Sequence, residues 1–133
     1  MLQQLLCSGT NARRQTCKSI GNRGERLAVA FLKQNGFRIV ARNKYFGKDE
    51  LDILAFEKKQ NTLVVVEVRT TARRAGVPER TITHKKRRAM GRISRRLLPE
   101  AKRNNCALRT DLITVRIYGK EPDIRHYRGI LPR

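Results

Sequence analysis

Tryptophan is absent, aromatic residues make up 5% of the chain, and only 11 of its 133 residues are acidic. So few rings leave little from which to build a base-stacking platform for single-stranded nucleic acid, which needs aromatic side chains as its floor. Cysteine is scarce too: Cys7, Cys17 and Cys106 are far apart, with no CxxC pair, and the two histidines, His84 and His126, stand alone. A zinc site requires such ligands at short spacing, so the cysteines read as free thiols in a reducing compartment. No apolar run approaches the ~20 residues of a membrane-spanning helix. A basic amphipathic helix with an aromatic or leucine face, the mark of attachment to an anionic lipid surface, is also missing. The opening Met1-Leu2-Gln3-Gln4-Leu5-Leu6 lacks the basic start and long apolar core of a secretion signal, and the expectation is a cytoplasmic protein.

What the chain has in excess is positive charge. Lysine and arginine number 31, for a formal charge of +20. Charge of that size says little about fold but favours a polyanionic partner, and nucleic acid is the commonest one. Apolar residues are 39% and clustered, enough for one modest core in a chain of this length and too few for two domains. There are no repeats or low-complexity tracts.

Residues 1–19 read as a basic, loosely structured arm, because Ser8-Gly9-Thr10-Asn11 is a run of loop formers without an apolar period. Residues 20–133 form a single domain. A helix is expected from about Asn22 to Asn35, with Gly36 as its left-handed stop. Phe37–Asn43 reads as a first strand. Leu51–Phe56 and Leu63–Arg69, joined by the polar Lys58-Lys59-Gln60-Asn61, read as a hairpin. Thr70–Arg80 is a loop, and a long basic helix follows from about Thr81 to Leu98, where Pro99 ends or kinks it. Thr110–Ile117 and the short Ile124–Tyr127 complete the order αβββαβ(β), an α/β fold with a mixed sheet flanked by helices.

The hairpin carries the most informative spacing. If Glu57 and Thr62 close the turn, Asp52 falls directly opposite Glu67, and Glu50 opposite Arg69 on the same face. Like charges in a cross-strand pair are destabilising unless something offsets them. In so basic a chain a divalent cation is the simplest offset, and hard oxygen ligands on adjacent strands suit Mg²⁺ or Mn²⁺. The plainer alternative is a surface carboxylate pair bridged by neighbouring Arg or Lys. Glu25 has two readings as well. With Asn22 it makes a capping box, yet it also lies at the edge of the apolar face of the first helix, beside Ala28 and Leu32.

On the second helix the apolar stripe runs Ile82, Ala89, Met90, Ile93, Leu97, and Lys86 falls inside it. Such a lysine either snorkels to the rim or reaches the acidic pair. Arg87, Arg88, Arg92, Arg95 and Arg96 crowd another side, with Arg73 and Arg74 in the preceding loop. A solvated helix normally mixes signs, and this one has no acid before Glu100, so phosphate contact is the preferred reading.

These residues resemble the PD-(D/E)xK nuclease superfamily: Glu on the first helix, Asp on one strand and Glu-x-Arg on the next. More closely, the chain is similar to the YraN family of small bacterial proteins. The matching stretches are Gly24-Glu25, Gly36-Phe37, Ala41-Arg42-Asn43, Glu50-Leu51-Asp52-Ile53-Leu54-Ala55, Val65-Val66-Glu67-Val68-Arg69, Ile82-Thr83 with Lys86, and Thr110-Asp111-Leu112-Ile113. The resemblance implies a restriction-endonuclease-like core. It implies Asp52 and Glu67 as ligands of Mg²⁺ or Mn²⁺, Glu25 as a third ligand or metal-water contact, and an endonuclease acting on DNA, branched or damaged DNA included, after the manner of Holliday-junction resolvases. Arg69 departs from the pattern, which has Lys there. Arginine stays protonated and cannot accept a proton from water; Lys86 is the candidate to replace the missing lysine. Two alternatives stay open: a binding protein that keeps the fold without catalysis, and a ribosome- or RNA-associated basic protein. DNA is favoured over RNA, no membrane partner is expected, and a homodimer is left open.

Overall fold

The run Leu63–Val68, apolar but for Glu67, is the signature of a strand covered on both faces, and its strand lies at the centre of the sheet. The computed structural model describes residues 11–72 and 82–131, without the side chains of residues 11–17. Its elements are α1 (Asn11–Gln34), β1 (Phe37–Phe46), β2 (Asp49–Glu57), β3 (Thr62–Thr71), α2 (His84–Arg103), β4 (Ala107–Arg116) and β5 (Asp123–Tyr127). The five strands lie side by side in chain order. Neighbours are antiparallel except β3 and β4, which run parallel and therefore need the crossover that α2 supplies. The α/β class, the mixed sheet and the order αβββαββ agree with the sequence reading.

Alternation along β3 sorts the core into two layers. Val64, Val66 and Val68 face α1, where they pack with Ala28, Leu32, Ile53, Ala55, Ile113 and Val115. Leu63 and Val65 face α2, with Ile93, Leu97, Ala101, Leu51 and Leu54. Burying each of the larger aliphatics contributes roughly 1.5–3 kcal/mol, which fixes both helices to the sheet. Glu67 belongs to the α2 side by the same alternation, so a carboxylate is carried into a buried layer.

Several boundaries differ from expectation. The first helix begins at Asn11, so residues 11–19 are its opening turns, not part of a loose arm; residues 1–10 lie outside the described set. Ala12-Arg13-Arg14-Gln15 are good helix formers, and propensity carries the helix where no apolar period announces it. Asn22 is thus mid-helix, and the capping-box reading of Asn22 and Glu25 fails. The second helix starts three residues later than expected, capped by Thr83, whose Oγ1 accepts from the Lys86 N–H at 3.1 Å. It also runs straight through Pro99 to Arg103. Pro99 and Arg95 are exposed, so the carbonyl that loses its partner can turn to water, while buried Leu97 and Ala101 hold the last turn on the sheet. Gly36 is left-handed (φ +85°), as required of a helix stop, and Glu57 pairs with Thr62 to close the hairpin.

Candidate active site at the fork between β2 and β3

The site exists because β2 leaves β3. Their pairing runs from Glu57/Thr62 to Ile53/Val66. At that point the alternation of β2 breaks: Leu54 and Leu51 both pack on the α2 side, whereas Ile53 packs towards α1. In a regular strand Leu51 and Ile53 would share a face. On the neighbouring β1, Asn43 takes a left-handed conformation (φ +50°) between the pairs Arg42/Ile53 and Lys44/Leu51. Asp52 sits at this bend, and its Oδ2 accepts the Val68 N–H at 2.9 Å. The side chain replaces a ladder partner for a buried main-chain donor, which would otherwise be costly to leave unpaired.

The expected opposition of Asp52 and Glu67 is therefore met in proximity but by a different geometry. The ladder stops one pair short, and the two carboxyl groups hydrogen-bond side chain to side chain. The Glu50–Arg69 pair, by contrast, does not follow from the observed register. Glu50 is aligned with Tyr45 on β1, and Arg69 with Thr114 on β4, because β2 has already turned away.

Lys86 does reach the acidic pair. The first turn of α2 brings its Nζ to 3.2 Å from Glu67 Oε2. Glu67 is 5% exposed, and burial followed by the charge of Asp52 pushes its carboxyl up to about 8; Lys86 pulls in the opposite direction without prevailing. At neutral pH Glu67 thus keeps a proton, held against Asp52. Glu25 is also raised, first by burial and then by the charge of Asp52, with a hydrogen bond to Asn43 opposing. It comes this close because Gly24 has no side chain: a Cβ there would overlap Thr70 on β3. Among the described residues, however, no three of His, Cys, Asp and Glu converge as metal ligands. The structure brings Asp52, Glu67 and Lys86 together and leaves Glu25 beside them, engaged with Asn43 and within the field of Asp52.

Residues 24–115 match the uncharacterised protein family UPF0102. The chain belongs to this family. The matched region opens on Gly24-Glu25 and takes in Asp52, Glu67 and Lys86, so the likeness to YraN proteins holds. A UPF0102 protein of Caldicellulosiruptor saccharolyticus is 38% identical over 99 residues, covering 74% of this chain and 82% of that one. One from Mycolicibacterium vanbaalenii is 34% identical over 124 residues (92% and 98%), and one from Geobacter metallireducens 34% over 110 (82% and 88%). Among solved structures, SfsA of Pyrococcus furiosus in complex with Ca²⁺ is similar at a TM-score of 0.30 and 15% identity, over 87% of this chain and 64% of that one. So loose a likeness carries no argument about the site. No helix among the described residues is long and apolar enough to cross a membrane.

The arginines of the UPF0102 chain divide into two groups. Arg92 clamps Asp49 at the start of β2 through two bonds of 2.8 Å, and Arg87 donates to the Ile130 carbonyl at 2.9 Å. Both are committed within the protein. Arg88, Arg95 and Arg96 are exposed, whereas Arg73 and Arg74 lie outside the described residues. On the opposite face of the sheet stands a cluster that sequence reasoning missed. Fully buried Asp111 accepts from Arg109, from the Gly129 N–H at 3.0 Å and bonds His126 Nε2 at 2.8 Å. Glu57 takes Arg109 and Arg128. Burial alone would raise the Asp111 carboxyl, but its hydrogen bonds with His126 and Arg109 win and hold it at about 2. The signal was present in Thr110-Asp111-Leu112-Ile113, an acid inside an apolar strand; its partners are too distant in sequence to be read.

Proposed function

We propose that this UPF0102 chain is a nucleic-acid-binding protein of nuclease-like fold that hydrolyses DNA phosphodiesters at Asp52, Glu67 and Lys86, with Mg²⁺ or Mn²⁺ held by the two carboxylates. The observation that carries the reading is the Lys86–Glu67 contact at 3.2 Å, a lysine delivered from a helix to the position where Arg69 cannot serve. Two carboxyl groups crowded until one retains a proton are a natural hard-oxygen donor pair, since Mg²⁺ commonly takes one or two carboxylates and completes its shell with water and substrate phosphate. Bound there, the ion would neutralise charge on the scissile phosphate. The rest is the work of the chain itself. Val68 N–H holds Asp52 in place, so the carboxylate needs no rearrangement to present its remaining lone pairs. Lys86 orients the attacking water, and Arg69, half-buried two residues beyond Glu67, places a fixed positive charge towards the phosphate. Exposed arginines on α2 hold the backbone without reading sequence.

A second reading is favoured by Arg69 itself: a binding protein that has lost turnover. One assay separates the two. Duplex, single-stranded and four-way-junction DNA, with an RNA duplex for comparison, are incubated with the wild type and with Lys86→Ala, Asp52→Asn and Arg69→Lys, with and without Mn²⁺. The catalytic reading expects metal-dependent cleavage of DNA that Lys86→Ala and Asp52→Asn abolish and Arg69→Lys barely changes. An inert wild type that Arg69→Lys awakens establishes the degenerate binder, and cleavage surviving both Lys86→Ala and Asp52→Asn removes this centre from the chemistry.

A further inference from the structure

The turn between β1 and β2 gathers more positive charge than Asp49 can answer, and Glu50, the next acid, lies within the field of Glu25. Gly47 is left-handed (φ +63°), and Arg96 of α2 lies against it, its Nη2 3.5 Å from where a Cβ would stand. A Cβ there would be in ordinary contact with the guanidinium, so it is the left-handed backbone of the turn that calls for glycine. Lys48 follows directly, and Lys44, two residues before Phe46, holds its Nζ 5.3 Å from that ring on the same strand. Asp49 is the acid in the middle. Its carboxyl is held below the usual range by the hydrogen bonds from Arg92, and the charges of Lys48 and Arg96 act in the same direction, so three cations surround one carboxylate. Arg92 neutralises it with both donors. Lys48 and Arg96 are exposed and left in excess. Like charges packed on a turn repel, and an anion from outside is what would relieve them.

We propose that this turn is a second phosphate-binding element: Lys48 and Arg96, gathered about Gly47, take the backbone of a nucleic-acid strand some distance along from the reacting phosphate, while Arg92 is a strut that joins hairpin to helix. The inference rests on the reading of the chain as a nucleic-acid binder and extends it from Arg96 of α2 to the β1–β2 turn and Lys48, which no spacing in the sequence suggested. Lys48 precedes β2 and lies four residues before Asp52, so the turn and the reacting centre are at most about 14 Å apart.

The test is the salt dependence of binding to a short DNA duplex, followed by fluorescence anisotropy across a potassium chloride series in EDTA, so that no cleavage intrudes. Each phosphate contact contributes about 0.9 to the slope of log K against log salt. Lys48→Ala and Arg96→Ala are each expected to flatten the slope by about 0.9, and the double variant by about 1.8. The pair Asp49→Asn with Arg92→Gln removes one charge of each sign and is expected to leave the slope as it was. A wild type that binds steeply with salt, and keeps its slope in Lys48→Ala and Arg96→Ala, overturns this inference while leaving the binding reading intact. A wild type without salt-dependent binding overturns both. A slope flattened by about 0.9 in the Asp49/Arg92 double variant makes Arg92 a phosphate ligand and rejects the strut.

Discussion

Glu67→Gln tests the electrostatics of the site without any nucleic acid. Glu67 is buried, and its carboxyl moves from an ordinary 4.5 to about 8 on folding, because burial and then Asp52 penalise its anion. Between those two pH values the folded chain holds a proton that the unfolded chain has released. Stability therefore falls as pH rises through this window, by about 1.4 kcal/mol per pH unit and about 5 kcal/mol in all, with no further loss above pH 8. Glutamine is a neutral isostere that still offers an oxygen to Lys86. The variant should match the wild type near pH 4.5 and exceed it by several kcal/mol at pH 8.5. Urea melts of both proteins from pH 4.5 to 9 provide the comparison. The lowered carboxyls Asp111, Glu57 and Asp49 act in the opposite sense and in another window: their stabilisation is present above the ordinary carboxylate range and is lost as pH falls below it. They are common to both proteins and drop out of the difference. Two stability curves that run parallel across pH 5–8 would refute the buried, proton-holding Glu67.

Mn²⁺ must displace that proton, so its stabilisation of the wild type should be greater at pH 8.5 than at pH 6 and absent in Asp52→Asn, as read by melting temperature at millimolar metal; a pH-independent shift counts against the carboxylate pair as the ligand set. Gly24→Ala should cost about 1–3 kcal/mol by forcing α1 off β3, and Thr70→Gly in the same chain should restore part of it, since Oγ1, Cγ2 and Cβ of Thr70 all lie in the overlap; no recovery in the double variant, measured against Thr70→Gly alone, would mean that Gly24 serves some other end. Asp111→Asn takes from partly buried Arg109 one of its two carboxylates, Glu57 being the other, and weakens the bonds to His126 and Gly129; it should cost about 1–3 kcal/mol in chemical denaturation, and a loss well below about 1 kcal/mol would show the cluster to be solvated.

Local pattern announced most of the scaffold. The Val-rich run of β3 read as a strand, the turn Lys58–Asn61 set the hairpin register with Glu57 against Thr62, and Lys86 stood out because it interrupts an apolar stripe at helical spacing. Those features depend on neighbours within a turn or one strand pair, which is the range over which periodicity carries information. Boundaries were less legible. The opening turns of α1 rest on propensity without an apolar period, and Pro99 is tolerated only because the flanking Leu97 and Ala101 are buried against the sheet.

Opposition of Asp52 and Glu67 was likewise visible in the sequence, but their geometry was not. A register count assumes a straight ladder, and β2 bends at Asp52, so that one carboxylate caps Val68 while Glu67 turns to it and to Lys86. Whether Arg92 meets phosphate or Asp49, and Arg87 meets phosphate or the Ile130 carbonyl, turns on contacts between residues 43 apart in the chain. An arginine on an exposed helix face looks the same in sequence whichever partner it has. Charge composition suggested a polyanionic partner; only the packing of hairpin and chain end against α2 decided which of its arginines remain exposed, because long-range pairing is set by tertiary contact and leaves no local period to read.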